Sequence, residues 1–319
     1  MSKTIFNKIG ASYGRVCRTR FNFEDYKMED YLIRAIATEA RVRAIVCQTT
    51  EIVQEGVRRH NTNTATTVAL GQALTGVALM GSLLKATQRI AIKWEGEDPL
   101  HKMLVESNSS GRLRGYIAMP DLDFPMIQGR LDLPTMLGED GLLTVVKDLR
   151  MEELVRGAVP LAAGDIGDGL TYYLNQSEQV QSLVVVSVQL DEEGSVVAAG
   201  GMLLQALPGY EGDLLLELRD RLQEMPPIAA MVAAGQTPDD VLTTVFNEVP
   251  VKVLAERPLI FQCSCSYERT QQALIMLGRD EIAALLETEG QAVIDCHFCH
   301  EQYVVDREGL ELLLAGFDS

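Results

Sequence analysis

The sequence predicts an α+β protein with an N-terminal antiparallel sheet domain that contains a buried helix, then a helical connector, then a small C-terminal domain built around cysteines. Short apolar runs separated by turn residues indicate antiparallel strands. The sequence lacks the regular alternation of strands and helices that would indicate a doubly wound fold. The uncharged segment Thr64–Leu84 indicates a helix inside a core. Four cysteines, in two close pairs, fall within the last 62 residues. A domain that small often needs disulfide bonds or a bound metal ion to be stable.

Composition and charge exclude several classes of function. The 319 residues include 45 Asp and Glu against 28 Lys and Arg, which gives a net charge of -17. Such an acidic surface repels nucleic-acid backbones and anionic membranes, so we expect neither as a partner. Six cysteines in a chain of this length argue against a disulfide-stapled secreted scaffold.

Residues 1–27 are predicted to be a basic extension. They hold six Lys or Arg and two acidic residues, a net charge of +4. This arm has no apolar run long enough for a secretory signal. It is interpreted as a disordered extension, a start placed too early, or a transit-like sequence. We expect a cytoplasmic protein, or an organellar one if the arm is a transit sequence.

Residues 28–209 are predicted to form the α+β core domain. A helix at Glu51–His60 has acidic residues early and Arg58 and Arg59 late, as the helix dipole favours. The uncharged segment that follows contains polar residues and three glycines, which favours a buried globular helix over a membrane span. An Asp-Glu-Glu-Gly turn ending at Gly194 predicts the clearest hairpin. The predicted strands are Tyr31–Ile36, Val42–Gln48, Arg89–Glu95, Met103–Glu106, Leu113–Met119, Leu142–Leu149, Leu183–Leu190 and Ser195–Leu207.

Residues 210–257 are predicted to form an amphipathic helical connector. Four leucines share one face of its first helix: Leu214, Leu215, Leu218 and Leu222. Pro226 and Pro227 end that helix, and Thr237 then acts as the N-cap of a second one, with a proline directly after it. Helices this short cannot hide their leucines alone. We therefore expect the connector to pack against a neighbouring domain.

Residues 258–319 are predicted to form a zinc-binding domain. Its cysteines occur as Cys263-Ser-Cys265 and Cys296-His-Phe-Cys299. Between the pairs we predict two helices that end at Gly278 and Gly290, and around the second pair two short strands, Ala292–Asp295 and Gln302–Val305. This arrangement brings the four thiolates together, which suits tetrahedral zinc. Zinc can supply about 10–16 kcal/mol to such a fold, so oxidation of its ligands would remove the main stabiliser.

The cysteine pattern leaves alternatives open. A purely structural zinc knuckle without a redox response fits the same residues. The Cys-x-x-Cys pair also suggests a thiol–disulfide oxidoreductase, and with His300 it matches a haem-attachment string. An iron–sulfur cluster is a further alternative. His297 and His300 could join a mixed ligand set, although four thiolates already fill a tetrahedral site. Cys17 and Cys47 are expected to be unligated, with Cys47 a small core residue.

The sequence resembles the heat shock protein 33 family of redox-regulated holdase chaperones, from about Met28 to the C-terminus. The cysteine spacing is the diagnostic part of the resemblance. The matching motifs are Cys263-Ser-Cys-Ser-Tyr-Glu-Arg269, Ala273-Leu-Ile-Met-Leu-Gly278, Cys296-His-Phe-Cys299 with Tyr303, Arg59-His60, Ala69-Leu-Gly-Gln-Ala-Leu74, Leu84-Lys85, Tyr172-Tyr173, Ser177-Glu-Gln179, and Gly201-Met-Leu-Leu-Gln205 with Pro208. Two features depart from the family: the extension before Met28, and His297 where members often carry an acidic residue.

The resemblance implies a function without enzymatic activity. One zinc ion would be bound by reduced Cys263, Cys265, Cys296 and Cys299. Oxidation would join Cys263 to Cys265 and Cys296 to Cys299, release zinc and unfold the connector. The exposed apolar surface would then bind unfolding client proteins without ATP, and the active form would be a homodimer. No hydrolase or phosphate-binding motif appears in the sequence, in agreement with a non-enzymatic role.

Overall fold

The computed structural model describes residues 30–97, 99–126, 130–161 and 164–317. The predicted basic arm, with Cys17, lies outside these residues. The described strands are β1 (Tyr31–Ala37), β2 (Val42–Gln48), β3 (Arg89–Glu95), β4 (Lys102–Asn108), β5 (Arg112–Ile117), β6 (Leu142–Asp148), β7 (Val155–Pro160), β8 (Ser182–Leu190), β9 (Val196–Ala206), β10 (Lys252–Pro258), β11 (Ile260–Phe261), β12 (Ala292–Asp295) and β13 (Gln302–Val305).

Helices lie between these strands. They are α1 (Thr50–His60), α2 (Thr64–Gly81), α3 (Leu133–Leu137), α4 (Ile166–Gln176), α5 (Leu214–Glu224), α6 (Ile228–Ala233), α7 (Pro238–Phe246), α8 (Tyr267–Leu277), α9 (Arg279–Thr288) and α10 (Arg307–Phe317). The α+β class is therefore confirmed, and the predicted strands and helices of the core region agree with the observed ones to within a few residues.

Within the described residues, two larger sheets carry the fold. The first has the order β10-β1-β2-β9-β8 and is antiparallel throughout. The second has the order β11-β5-β4-β3-β6-β7, in which only the β11–β5 pair is parallel. The predicted β8–β9 hairpin is present, and its Gly194 has φ +84°, the left-handed conformation that glycine tolerates best.

Helix α2 lies in the main core. Asn63 caps its first turn in a reciprocal capping box with Thr66, which satisfies backbone donors that would otherwise be buried and unpaired. All of its residues after Thr64 are buried, so its lack of charge reflects a position enclosed by protein on every side. Among the described residues, no helix is long and apolar enough to span a bilayer.

The connector helices cover the other face of the five-stranded sheet. Leu215, Leu218 and Phe246 pack there with apolar side chains of β1, β2 and β9 such as Ile33 and Met202. This packing is what the leucine stripe predicted. Thr237 caps α7 in a capping box with Asp240, as expected for the start of that helix.

The end of the connector differs from the sequence prediction. The predicted helical connector extends to Arg257 and the predicted zinc-binding domain begins at Pro258, but Lys252–Pro258 forms strand β10, which pairs with β1. Most of its residues are exposed, so no alternating apolar pattern marks it as a strand. Its conformation is set by the free edge of β1 rather than by its own side chains. The next strand, β11, lies beyond the predicted boundary at residue 258 and joins the six-stranded sheet.

The C-terminal region has its own small core. Helices α8 and α9 end at Gly278 and at the turn before Gly290, and both glycines have positive φ, as predicted. β12 and β13 form the expected hairpin. Helix α10 was not predicted. The buried apolar residues of this region are Leu274, Ile282, Ala292, Val305 and Leu310.

Candidate metal centre

The first cysteine pair lies in the short link between β11 and α8. Ser266 caps α8 by accepting a hydrogen bond from the Arg269 backbone N–H, so the helix begins directly after Cys265. Ser264, between the two cysteines, accepts hydrogen bonds from Arg114 at 3.1 Å and from Arg269 at 2.7 Å. These contacts fix the short link from both ends and thereby fix the positions of the Cys263 and Cys265 sulfurs.

The second pair forms the turn of the β12–β13 hairpin. The Cys296 backbone N–H donates to the Glu301 carbonyl at 3.0 Å, and the Cys296 carbonyl accepts from the His300 N–H at 2.8 Å. His300 has φ +54°, which closes the turn. A two-residue spacing in such a turn points both sulfurs toward the first pair, as in structural zinc knuckles.

The four sulfur atoms converge. The Sγ atoms of Cys263, Cys265, Cys296 and Cys299 all lie within 4.8 Å of one another, and each is a free thiol. A tetrahedral zinc ion with bonds of about 2.3 Å would separate its sulfur ligands by about 3.8 Å. The structure has 3.7 Å between Cys263 and Cys296 and 3.3 Å between Cys265 and Cys299. The cluster is therefore compatible with zinc in size and in donor type.

Two of the sulfur–sulfur contacts join the first cysteine pair to the second. Both contacts exceed the roughly 2.05 Å of a disulfide bond. All four sulfurs are therefore available as metal ligands in this arrangement.

Polar neighbours act directly on two of the thiols. Burial would raise the pKa of Cys263, but hydrogen bonds from the Cys265 backbone and from the Arg114 guanidinium, 3.6 Å away, outweigh it and lower the pKa to about 7. The Tyr303 hydroxyl donates to Cys265 Sγ at 3.1 Å. Burial raises the pKa of Cys296 and of Cys299. Cys263 is thus more readily ionised than either thiol of the second pair.

The cysteine turn is docked on the core through Arg59 and His60 at the end of α1. Arg59 Nη1 donates to the Cys299 carbonyl at 3.0 Å and also pairs with Glu55 at 2.6 Å. The buried His60 Nε2 donates to the carbonyls of Gly115 and Phe298, at 2.9 and 3.2 Å. Burial lowers the pKa of His60, which favours the neutral ring that this pattern uses.

Strand β5 supplies further contacts between the core and the cysteine turn. The Arg114 guanidinium stacks on the Phe298 ring at 4.0 Å and is held by Glu106 at 2.6 Å. Tyr116 meets the same phenylalanine edge to face at 5.2 Å. Phe298, which separates the last two cysteines, is therefore clamped between a cation and an aromatic ring.

The two histidines near the cysteines lie outside the sulfur cluster. His300 Nε2 donates to His60 Nδ1 at 2.9 Å, and His297 lies beside Tyr116, with ring centroids 6.0 Å apart. Among the described residues, the potential metal-binding group consists of cysteines alone. Cys47 is fully buried in the core, as predicted, and burial strongly raises its pKa.

Sequence reasoning missed the docking residues. Arg59 and His60 were noted only as a motif, while Arg114 and Tyr116 carried no signal. Arg114 and Tyr116 alternate with buried residues along β5 and are half-buried on the opposite face of the sheet. Their partner, Phe298, lies far away in the sequence, so only the tertiary structure pairs them.

The fold and site define a mixed α+β protein with a metal-compatible four-cysteine unit at its C-terminal end. The family model described as Hsp33 protein matches residues 30–306. The 33 kDa chaperonin of Geobacter sulfurreducens is 41% identical over 292 residues, which cover 92% of this chain and 97% of that protein. For the 33 kDa chaperonin of Bacillus subtilis the identity is 38% over 283 residues, 88% of this chain and 97% of that protein.

A solved structure gives the same result. The crystal structure of the 33 kDa chaperonin from Thermotoga maritima matches with a TM-score of 0.82 at 29% identity, and the match covers 91% of this chain and 100% of that chain. The chain belongs to the Hsp33 family of chaperones. The resemblance found in the sequence is thereby confirmed.

Proposed function

We propose that this protein is an ATP-independent holdase chaperone that is inactive when reduced and zinc-bound and is activated by oxidation of its four cysteines. The convergence of four sulfurs within 4.8 Å, in a unit docked on the core, is the observation that carries the proposal. The cysteine unit would be the sensor, and the connector that covers the sheet would be the part that responds.

One zinc ion held by Cys263, Cys265, Cys296 and Cys299 would stabilise the C-terminal unit. Its apolar core is small, and many of its larger side chains are exposed, including Met276, Leu277 and Leu312. Zinc coordination contributes about 10–16 kcal/mol in comparable small domains, more than such a core supplies. Loss of the ligands would therefore unfold the unit.

Oxidation removes the ligands in pairs. Two thiols and one molecule of hydrogen peroxide give one disulfide and two molecules of water, so two peroxides oxidise the whole cluster. The family resemblance assigns the disulfides to Cys263–Cys265 and Cys296–Cys299. Sulfur–sulfur contacts of 3.3 and 3.7 Å are longer than a disulfide bond, so the sulfurs must move as each bond forms. Cys263, with the lowered pKa, would react first, as the thiolate that attacks the peroxide.

The docking contacts would connect the sensor to the core. Arg59 and His60 hold the backbone of the cysteine turn, and Arg114 holds Cys263 and Phe298 together. When the turn changes shape, these hydrogen bonds and stacking contacts are lost together. Strands β11 and β10, which lead directly into the first cysteine pair, then lose their anchor on the C-terminal side.

Release of the connector would expose the apolar face of the five-stranded sheet. Leu218, Val245 and Phe246 are completely buried against that face in the resting structure. Uncovering such a patch creates a surface that unfolding proteins can bury, at roughly 25 cal/mol per Å² of apolar area. The high negative charge would keep client complexes dispersed. We propose a homodimeric active form in the cytoplasm, with no nucleic-acid or membrane partner.

The decisive experiment compares reduced and peroxide-treated protein in the same preparation. Zinc release is followed with a chromophoric chelator, free thiols are counted, and light scattering of a heat-denatured client is recorded. We expect one zinc ion and four reactive thiols to be lost together and scattering to fall only after oxidation. Equal scattering in the two states would refute the switch.

The same assay separates the alternatives. A zinc-stabilised interaction module without redox response would keep its zinc in peroxide. A thiol–disulfide oxidoreductase would turn over in an insulin-reduction assay. Peptide mapping of the oxidised protein then tests the pairing: peptides linked through Cys263–Cys296 or Cys265–Cys299 would contradict the neighbour disulfides.

A further inference from the structure

Three arginines lie side by side on one face of the five-stranded sheet. Arg34 is on β1, Arg43 is on β2 and Arg257 is on β10, and β1 lies between the other two strands. Arg34 is directly opposite Ile45 of β2, two residues from Arg43, and directly opposite Ala255 of β10, two residues from Arg257. Diagonal neighbours of this kind are about 7–8 Å apart and share a face. Arg43 and Arg257 therefore flank Arg34 toward opposite ends of β1, and the charge of Arg34 acts on both.

Each of these arginines has one buried nitrogen whose hydrogen-bonding capacity is unused. Arg34 Nε, Arg43 Nε and Arg257 Nη1 are buried and have no hydrogen-bond partner among the described residues. Arg43 donates to the Gln205 side-chain amide, a neutral group. Buried polar groups in proteins are almost always paired, so three unpaired cationic nitrogens in one patch require an explanation.

No carboxylate in the part of the chain that the structure describes compensates these charges. Burial lowers the pKa of both Arg43 and Arg257, and the only charged group that shifts either one is Arg34, which lowers both further. Asp239, Asp240 and Glu256 act on Tyr31, at the start of β1, and shift the pKa of neither Arg43 nor Arg257. In a chain with 45 acidic residues, a patch of cations without a counter-ion is unexpected.

We propose that Arg34, Arg43 and Arg257 form a binding site for a phosphate-class oxyanion that bridges β2, β1 and β10. The guanidinium group donates in a planar fork that matches two oxygens of a phosphate, and a tetrahedral dianion has enough oxygens for all three arginines. Such an anion would supply the missing counter-charge and use the unpaired nitrogens. The site does not depend on the cysteine chemistry and lies outside the sulfur cluster.

Because Arg257 lies on β10, a ligand bound to all three arginines would help to hold β10 on the sheet. β10 is an edge strand in which only Arg257 is half-buried, while the other residues are exposed. It is held on β1 by backbone pairing and few apolar contacts. An anion shared between Arg257 and the two arginines of the core would tie β10 to the sheet. Because the ligand binds only when β10 is in place, it would stabilise that arrangement by mass action.

The test uses the full-length reduced protein with inorganic phosphate, and matched chloride as the ionic-strength control. Calorimetric titration measures the affinity, and hydrogen exchange measures protection of the β10 amides. O-phosphoserine and inorganic triphosphate serve as further probes, since they distinguish a phosphate monoester or a phosphate chain from the free ion as the preferred source. The variants are Arg34→Gln and Arg257→Gln, and Arg58→Gln, an exposed arginine on α1, is the matched control.

We expect saturable binding of at least one phosphate probe and slower exchange in β10. Each of the two variants should bind at least about tenfold more weakly, the loss expected for one charged hydrogen-bonding group, while Arg58→Gln binds as the parent does. Since Arg34→Gln relieves repulsion, its melting temperature in chloride should not fall below that of the parent. No saturable binding, or equal affinity in Arg34→Gln, would overturn the proposal.

Discussion

Counted over the described residues, the main core of the N-terminal region buries forty apolar side chains, whereas the cluster beneath the four cysteines buries five. The first region is organised around α2, whose residues are almost all enclosed. The second is a layer of three helices and one hairpin with large apolar side chains left exposed. A core of the first kind is stable by burial alone, while in the function that we propose the second depends on a metal ion held by its four sulfurs. An oxidant that removes these ligands would then destabilise the second region and leave the first folded.

The strongest test of this contrast removes one sulfur ligand. Cys296→Ser should abolish stoichiometric zinc binding and leave α8, α9 and α10 loose in reduced protein, because about 10–16 kcal/mol of coordination free energy is weakened or lost. Hydrogen exchange should rise in these helices while α2 stays protected.

The matched control is Cys47→Ala, which removes a buried core thiol far from the cluster. It should keep one zinc ion and an ordered C-terminal unit. Full zinc content in Cys296→Ser would contradict the four-sulfur site.

A charged residue on the buried face of connector helix α5 tests how the connector packs against the five-stranded sheet. Leu218 is completely buried against the sheet, whereas Leu216 on the same helix is 46% exposed. Leu218→Asp should destabilise connector packing by at least about 2–5 kcal/mol, the cost of removing a buried leucine side chain. We expect client binding by the reduced protein to rise.

Leu216→Asp introduces the same charge on the exposed side and should leave resting client binding unchanged. If client binding by the reduced protein is also unchanged in Leu218→Asp, then this apolar face is not the surface that clients use. Light scattering of a denaturing client under reducing conditions measures both variants.

The dock between the regions can be weakened without touching a cysteine. Arg58 and Arg59 both bind Glu55, but only Arg59 also reaches the Cys299 carbonyl. Arg59→Ala should therefore loosen the cysteine turn by about 1.5–3 kcal/mol, the range for hydrogen bonds from charged groups. Faster amide exchange at residues 296–300 and faster zinc release in peroxide are the expected readouts. Arg58→Ala should behave as the parent, and equal rates in the two variants would show that Arg59 has no docking role.

The smallest expected effect concerns local helix stability in the connector. Thr237→Ala removes the side-chain oxygen that caps α7 and should cost about 1 kcal/mol. Thr243→Ala, an exposed position inside the same helix, should cost less. Hydrogen exchange in α7 measures the difference, and similar exchange in both variants would mean that the cap does not limit opening of the connector.

The sequence alone predicted the parts of the fold that depend on residues close together in the chain. The hairpin at Gly194, the N-cap at Thr237 and the helix ends at Gly278 and Gly290 follow from turn and cap residues. The leucine stripe around Leu218 predicted a buried face. The cysteine spacing predicted that the sulfurs would meet, since two closely spaced pairs with helices and a hairpin between them fold back on themselves.

Tertiary structure decided the partners across the chain. β10 became a strand because β1 had a free edge, although its exposed side chains carry no strand pattern. Phe298 is clamped by Arg114 and Tyr116, nearly two hundred residues earlier in the chain, and no local signal names them. Patterns in sequence report burial and local conformation, whereas the pairing of distant surfaces depends on how whole sheets and helices fit together. The sequence therefore determined the paired cysteines and the leucine-lined connector, and the tertiary structure determined how the cysteine unit is attached to the core.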